Sequence, residues 1–419
     1  MLNAIIRFSI RNKLIIGVFI AALLGYGIFA VSKLPIDALP DITSNQVQVI
    51  TVTPTLAAPE VERLISFPIE QATANIPGIR EMRSISRFGL SVVTIVFDDD
   101  TDVYWARQQV SERLITVRNE IPAEAGNPEL APLTTGLGEV FQYILKPKPG
   151  YEEKIDLTEL RSIQDWIVRR QLMGIPGVAD ISSFGGNLKQ YEVAVMPDRL
   201  RSMNLTIADV FAALERNNQN SGGGYIERNQ MALFIRTEGL VGSLEDIQNI
   251  YVKTTSNGLP VYLRDVAEVR IGHAIRYGAL VDADKGEVAG AVVLMLKGAN
   301  ASQVVKDIKA RLELVEKTLP EGVALEVFYD RTKMVDRAIN TVKNNLLEGA
   351  LIVVFILVIF LGNMRAGLIV ASVIPLAMCF AVIMMNIFGL SGNLMSLGAL
   401  DFGLIVDGAV IIVEAVIHK

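Results

Sequence analysis

The chain has 419 residues, 51% of them hydrophobic and 20% charged, with a formal net charge of -6 and a mean hydropathy of +0.39. That mixture fits lipid-facing helices joined to globular parts better than a soluble protein alone, and the mild negative charge leaves no footprint for nucleic acid. One cysteine (Cys379), two histidines (His273, His418) and no Gly-x-x-x-x-Gly-Lys-Ser/Thr loop exclude an internal disulfide, a Cys/His zinc cage and a P-loop ATPase engine, so no resident cofactor is expected.

Leu14 to Val31 is an uncharged apolar run of bilayer length. Arg7, Arg11 and Lys13 precede it, which by the positive-inside rule places the N-terminus in the cytoplasm. The run is too long for a signal peptide, and no small-x-small cleavage site follows before Leu34-Pro35. The long segment that comes next alternates strands and helices. Val47 to Val52 reads as a strand and Pro59 to Ala74 as a helix broken by Ile76-Pro77-Gly78. Ile79 to Arg87 and Leu90 to Phe97 read as strands, and Asp102 to Glu120 as a helix. The acidic turn Asp98-Asp99-Asp100 with Asp102 fits a solvated helix start better than a cation site.

The pattern then recurs. Val140 to Leu145 is a strand, Leu157 to Met173 a helix, and Ile175-Pro176-Gly177 a second break before a strand from Val178. The two Ile-Pro-Gly breaks mark an internal repeat of a β-α-β unit, the building block of ferredoxin-like folds. Val288 to Leu296, Ser302 to Thr318 and Val323 to Phe328 supply a further strand, helix and strand that complete the second repeat. The insert between, near Ser182 to Ala274, carries the run Asn217 to Gly224. Its three consecutive glycines suit an exposed mobile arm, and a plain surface loop is the simpler reading from residues alone.

Three apolar runs close the chain: Gly349 to Gly362, Ala366 to Leu390 with Pro375 inside it, and Leu394 to Ile417. Asn363-Met364-Arg365 reads as a tight, positively charged turn, and His418 and Lys419 follow the last run, so both basic ends fall on the cytoplasmic side. The last run holds three carboxylates, Asp401, Asp407 and Glu414. A charge at the bilayer centre costs about 2.5–3.5 kcal/mol, so three are not expected there for packing. At 100° per residue, Asp407 and Glu414 fall within roughly 20° of one face, with Asp401 about 120° away. A carboxylate in low dielectric resists ionisation and can take up and release a proton as its surroundings change, which is the chemistry of a relay. An interhelical salt bridge, or Glu414 snorkelling to the headgroups, is the structural alternative.

One apolar run, a large loop with repeated β-α-β units, and spans ending in Asp401-Phe-Gly-Leu-Ile-Val-Asp407-Gly-Ala-Val-Ile-Ile-Val-Glu414 resemble the resistance–nodulation–cell division (RND) transporters. The form of the acidic motif is similar to the heavy-metal efflux (CzcA/CusA-like) subfamily. Lys33 to Asp41 also resembles that family's exit from its first span. Drug-efflux relatives carry two adjacent aspartates where this chain has Asp407-Gly408, and they lack the acid at Asp401.

The resemblance implies an α-helical membrane protein plus an α+β periplasmic domain, with four transmembrane helices and ferredoxin-like β-α-β porter subdomains inserted between helices 1 and 2. Residues 1–34 would hold the N-terminus and first helix, and 41–135 the first porter subdomain. Residues 136–181 with 274–331 would form the second, 182–273 a docking subdomain whose glycine arm reaches a neighbouring protomer, and 340–419 helices 2–4. The resemblance also implies a homotrimer in the bacterial inner membrane, driven by protons and working with a periplasmic membrane-fusion adaptor and an outer-membrane channel. Family members are more than twice this length, so the chain reads as an N-terminal fragment, and the lysine that pairs with the acids would lie in the missing half.

Copper(I) and silver(I) favour soft methionine ligands. The stretch Leu404-Ile405-Val406 has none, Met395 lies before the acids, and Met378, Met384 and Met385 suit core filling. The metal-ion substrate expected is therefore divalent zinc, cobalt, cadmium or nickel. Glu139, which resembles a position approaching the porter pocket, would suit such an ion, and an exposed strand-edge glutamate is the alternative. Export of organic compounds and a non-transporting membrane-anchored assembly module stay open beside metal efflux. An enzyme is the weakest reading, because no Gly-x-Ser-x-Gly elbow or suitably placed histidine is present.

Overall fold

The computed structural model describes residues 2–33, 41–122, 125–229, 231–255, 258–283, 286–361, 364–389, 392 and 402–417. Asp401, Met395, Asn363, His418, Lys419 and residues 34–40 lie outside that set.

Helices α1 (Leu2–Arg11) and α2 (Lys13–Lys33) open the chain. The first α/β unit follows. Strand β1 (Gln46–Val52) pairs antiparallel with β3 (Leu90–Phe97), which pairs with β2 (Ile79–Arg87), and the short β4 (Glu129–Leu130) closes the order β2-β3-β1-β4. Helix α3 (58–73) and helix α4 (Val103–Val117) cover one face. Val47, Val49, Val93 and Ile95 from the sheet meet Ile65, Ile69, Val110 and Leu114 from the helices in one core. Asp102 caps α4, accepting from the Trp105 backbone N–H at 2.7 Å, while Asp98 to Asp100 stay exposed. The acidic turn is thus a helix start. Inside α3 the turn Glu62–Ser66 is π-helical. Pro68 cannot donate to the carbonyl one turn back, and the Phe67 N–H reaches Glu62 instead.

Strand β5 (Glu139–Pro147), helix α5 (157–172) and β6 (Val178–Gly185) begin the second unit. The chain then leaves it at β7 (Lys189–Val195). Helices α6 (Pro197–Ser202) and α7 (Ile207–Arg216), the hairpin β8 (Ser221–Arg228) with β9 (Met231–Thr237), and α8 (Leu244–Gln248) follow. Strands β10 (Tyr251–Thr254) and β11 (Pro260–Tyr262), helix α9 (Leu263–Val266) and β12 (Ala267–His273), which pairs with β7, complete the insert. It has its own core around Leu200, Val210, Ile247, Val261 and Leu263. The chain returns through β13 (Leu280–Asp282), β14 (Gly286–Met295), α10 (Ala301–Glu316) and β15 (Val323–Asp330). The second sheet runs β13-β14-β5-β15 with β6 on β14, the same β-α-β-β-α-β arrangement as the first. Asn300 caps α10 as Asp102 caps α4.

The glycine run is not a loop. Ser221 to Gly224 are strand residues, with a register shift between Gly222 and Tyr225. Glycine supplies no side chain to pack, so the sequence signal for a turn and for a bare strand is the same.

Helix α11 (Arg331–Leu361) rises directly from β15. Helix α12 (Met364–Ile387) is broken only at Ser372, where Pro375 leaves the Ala371 carbonyl without its helical donor. Met364 and Arg365 are its first residues, so the turn expected there does not extend past residue 363. Helix α13 (Phe402–Ile417) ends the described chain. Lys13–Val31 and Met364–Ile387 are long and apolar enough to cross a membrane, and α11 carries a shorter apolar stretch, Leu347–Ile356. Helices α2 and α12 meet where Gly27 faces Cys379, so closely that a Cβ on Gly27 would stand 2.7 Å from the cysteine Cβ. Ala30 packs against Val382 and Ile383 in the same seam. This small-residue contact is how helices approach in the absence of a hydrophobic drive between them.

Candidate functional site

Helix α13 is seated by one face. Ala409, Val410 and Val413 pack on Val370, Ile374 and Met378 of α12 and on Ala350 of α11. Asp407 and Glu414 are both exposed. They sit about 20° from each other and roughly 100° round from the packed face. The two carboxylates therefore share an exposed stripe on the flank of the helix, off its packed face. No ion pair to either is seen among the described residues. Asp401 lies outside the described residues, so the structure brings together two of the three acids.

Glu139 opens β5, the strand between β14 and β15, so it is not on a sheet edge. It is exposed, pairs in register with Leu294, and its Oε2 accepts from Gln142 Nε2 at 3.0 Å. Among the described residues no group of three or more His, Cys, Asp or Glu side chains is placed to hold a metal ion. Glu139 and the acids of α13 sit in different parts of the fold, one on a sheet and the others on an apolar helix.

Between them lies a junction that the residue pattern did not indicate. Asp330 ends β15 with its side chain only 2% exposed. Its Oδ1 accepts from the Thr332 N–H at 2.9 Å and the Thr332 hydroxyl at 2.6 Å, and its Oδ2 stands 2.5 Å from Lys309 Nζ on α10. Burial pushes the Asp330 carboxyl up, but the Lys309 ammonium and the two Thr332 donors outweigh it and hold the group below the ordinary carboxylate range. Arg331, 5% exposed, donates to the carbonyl of Leu137, two residues before Glu139. These partners are separated by 194 positions, and no local spacing announces such a contact.

A second polar cluster lies under α5, whose Gln164–Val168 turn is again π-helical. Asp165 accepts from Arg161 at 2.8 Å and from Ser183 at 2.6 Å, and Arg169 meets Asp180 at 3.1 Å. Burial pushes the Tyr143 hydroxyl well above its ordinary value, with Gln164 partly offsetting it.

A model of the AcrB/AcrD/AcrF family matches residues 5–419. The cation efflux system protein CzcA of Alcaligenes sp. (strain CT14) is 46% identical over 423 residues, which cover 100% of this chain and 40% of that protein. The cobalt-zinc-cadmium resistance protein CzcA of Cupriavidus metallidurans is also 46% identical over 423 residues, with the same coverage. The cation efflux system protein CusA of Escherichia coli K12 is 38% identical over 416 residues, 99% of this chain and 39% of its own. A crystal structure described as that of a heavy metal efflux pump superposes with a TM-score of 0.87 at 36% identity, covering 97% of this chain and 40% of that one. The chain thus spans about two fifths of the length of these relatives. On the family match along almost its whole length, and on the repeated α/β units beside an acidic apolar helix, this chain belongs to the AcrB/AcrD/AcrF family of RND proteins.

Proposed function

We propose that the protein carrying this chain is a proton-driven exporter of divalent heavy-metal cations. The observation that carries this reading is the stripe on α13, where Asp407 and Glu414 are exposed beside the face that seats the helix. Carboxylates on an apolar helix are retained at a cost of a few kcal/mol each and are most economically read as a proton path. Asp401 would extend that path. Zinc, cobalt, cadmium or nickel is preferred over copper or silver. The chain is 46% identical to a relative named for cobalt, zinc and cadmium, against 38% for CusA, and Leu404-Ile405-Val406 offers no soft ligand. Glu139 would approach the ion as a hard carboxylate ligand, with the rest of the coordination shell coming from outside the described residues.

In this reading α2, α11, α12 and α13 are four spans of the inner membrane, and the α/β units project into the periplasm. Residues 41–135 would be the first porter subdomain, and 136–181 with 274–331 the second. The insert, 182–273, would be the docking subdomain. Its β8–β9 hairpin is exposed along its length, Phe234 by 83%, and would reach a neighbouring protomer of a homotrimer that engages a membrane-fusion adaptor and an outer-membrane channel.

The test is proton movement in proteoliposomes of the intact protein. Added Zn2+ should drive a pH change that Ag+ does not. A response to Ag+ or Cu+ alone would overturn the divalent assignment, and no response to any metal would overturn metal–proton exchange.

A further inference from the structure

We infer that residues 133–138 form a tether joining Thr43 and the start of α11 to the strand that begins at Glu139, with Arg331 as the positioning residue that closes it. The inference deepens the reading of Glu139 and α13 given above and rests on it. Backbone and side-chain hydrogen bonds hold this short segment on several sides. Gly136 N–H donates to Thr43 Oγ1 at 3.0 Å, and Thr43 follows α2 across residues 34–42. The Leu137 carbonyl accepts from Arg331, the first residue of α11. The Gly138 carbonyl accepts from Met295 N–H at 2.8 Å and the Leu133 carbonyl from Lys297 N–H at 3.1 Å, fixing both ends to β14 and its continuation.

The segment is also wound tightly on itself. Gly138 N–H donates to the Thr135 carbonyl at 2.9 Å, and a Cβ on Gly138 would overlap the Thr134 side chain. Glu139 follows with no intervening residue. A displacement of the α11 end or of the Thr43 region is thereby passed to the Glu139 backbone through hydrogen bonds rather than through compliant chain.

Arg331 is suited to that task more than to holding the helix end. Capping of α11 is already performed by Asp330, which takes the Thr332 N–H. An arginine that is 5% exposed is costly unless its donors are used, and here one grips a backbone carbonyl on a different element. The planar guanidinium holds direction as well as distance, which a lysine ammonium does not. Packing alone would be met by an apolar side chain of the same volume.

The test uses the intact protein in proteoliposomes under a pH gradient, with Zn2+ as the probe. Arg331→Met should lower the maximal rate by about tenfold and leave the half-saturating Zn2+ concentration within about twofold, because the loss falls on coupling and not on ground-state binding. Arg331→Lys should recover part of that rate. A loss that merely follows the folded fraction, or a raised half-saturation at unchanged maximal rate, overturns the inference. A second variant does not depend on Arg331. Gly136 has room for a side chain, its Cβ position standing 3.6 Å from Thr43 Oγ1, so Thr43→Cys with Gly136→Cys can be locked by oxidation. The locked protein should transport at about the unlocked rate, since the tether stays attached through the cycle. Transport lost on locking and restored by a reductant would show that the contact must part, and the tether would fall. Glu139→Gln separates the two readings: unchanged half-saturation removes Glu139 from the metal path while leaving the Arg331 result to stand or fall alone.

Discussion

Gly78 and Gly177 occupy the same place in two copies of one turn. Both have left-handed backbones, with φ of +80° and +85°. The Gly78 carbonyl accepts from Asp98 N–H at 2.9 Å, just past β3, and the Gly177 carbonyl accepts from Leu296 N–H at 2.9 Å, just past β14. Each Ile-Pro-Gly break therefore does one job twice. Proline stops the helix, the left-handed glycine turns the chain, and its carbonyl fixes the return strand.

That equivalence predicts unequal costs for the same substitution. A Cβ on Gly177 would stand 2.6 Å from Val304 Cγ2 in the core, whereas on Gly78 it would stand 3.1 Å from the hydroxyl of Thr101. Both variants incur about 1–2 kcal/mol for a left-handed alanine. Gly177→Ala should lose about 1–2 kcal/mol more, because Val304 must move within a packed core. Hydrogen exchange of the β6 and β2 peptides reads the two units separately. Equal loss of protection in both would refute the packing argument.

Much of this architecture was legible from periodicity. Ile79–Arg87 and Leu90–Phe97 match their expected strands end to end, because Pro77-Gly78 and Phe88-Gly89 punctuate them and leave little freedom in their bounds. The return of the second unit after a long insert was also visible, since Val288 to Leu296, Ser302 to Thr318 and Val323 to Phe328 read as strand, helix and strand and are found as β14, α10 and β15. Three features were not legible. The Gly222–Gly224 segment carries no apolar pattern of its own and is held as strand by the β9 pairings of Gly222 and Tyr225 on either side of a register shift. The π-turn at Gln164–Val168 has no proline to mark it. The Arg331–Leu137 and Thr43–Gly136 contacts join residues far apart in the chain, which single-sequence spacing does not reveal. Of the candidate site, the shared stripe of Asp407 and Glu414 follows from helical geometry alone. Glu139 was singled out by family resemblance alone, and its place on an inner strand instead of a sheet edge was not legible, because strand order depends on pairings between distant segments.

The Asp330 junction should be pH-sensitive in one direction. Its folded carboxyl lies below the ordinary range, so the charged form is favoured by folding. The resulting stabilisation is complete above the ordinary carboxylate pKa and is lost as pH falls through the folded value. Opening of the β15–α11 segment, followed by limited proteolysis at graded pH, should rise on acidification. Asp330→Asn keeps an oxygen for Thr332 and loses the ion pair with Lys309. It should weaken the junction by about 1 kcal/mol at neutral pH and flatten the acid dependence. An unchanged acid profile in the variant would assign the sensitivity to other groups.

The β8–β9 hairpin makes a separate prediction about assembly. Tyr225 and Phe234 pair across it with ring centroids 6.2 Å apart, on an arm whose described side chains are all exposed. Exposed aromatics in that setting mark a surface meant to be covered. If the intact protein is the proposed homotrimer, Tyr225→Ser with Phe234→Ser should leave the monomer's melting temperature nearly unchanged and shift that protein from trimer toward monomer on size-exclusion with light scattering. A trimer of unaltered stability would exclude the arm from the subunit contact.

The energy-coupling reading turns on Asp407. Its neighbours on α13 seat the helix through Ala409, Val410 and Val413, so the carboxylate is not needed for that packing. Asp407→Asn replaces the titrating group with an amide of nearly equal shape, and the intact protein should insert and assemble as before. If protons pass through this group, metal-driven proton flux in proteoliposomes should fall by at least about a hundredfold, since no other acid occupies its place at mid-helix. Glu414→Gln should reduce flux more modestly, by about threefold to tenfold, because it lies seven residues nearer the basic end of the sequence, which in the proposed topology meets the interface where water can substitute. Asp401→Asn should fall between the two, being offset about 120° around the helix from Asp407. The order of the three effects is the sharper criterion. An Asp407→Asn protein that still exchanges Zn2+ for protons at the native rate would return all three acids to a structural role, whatever the other two variants do.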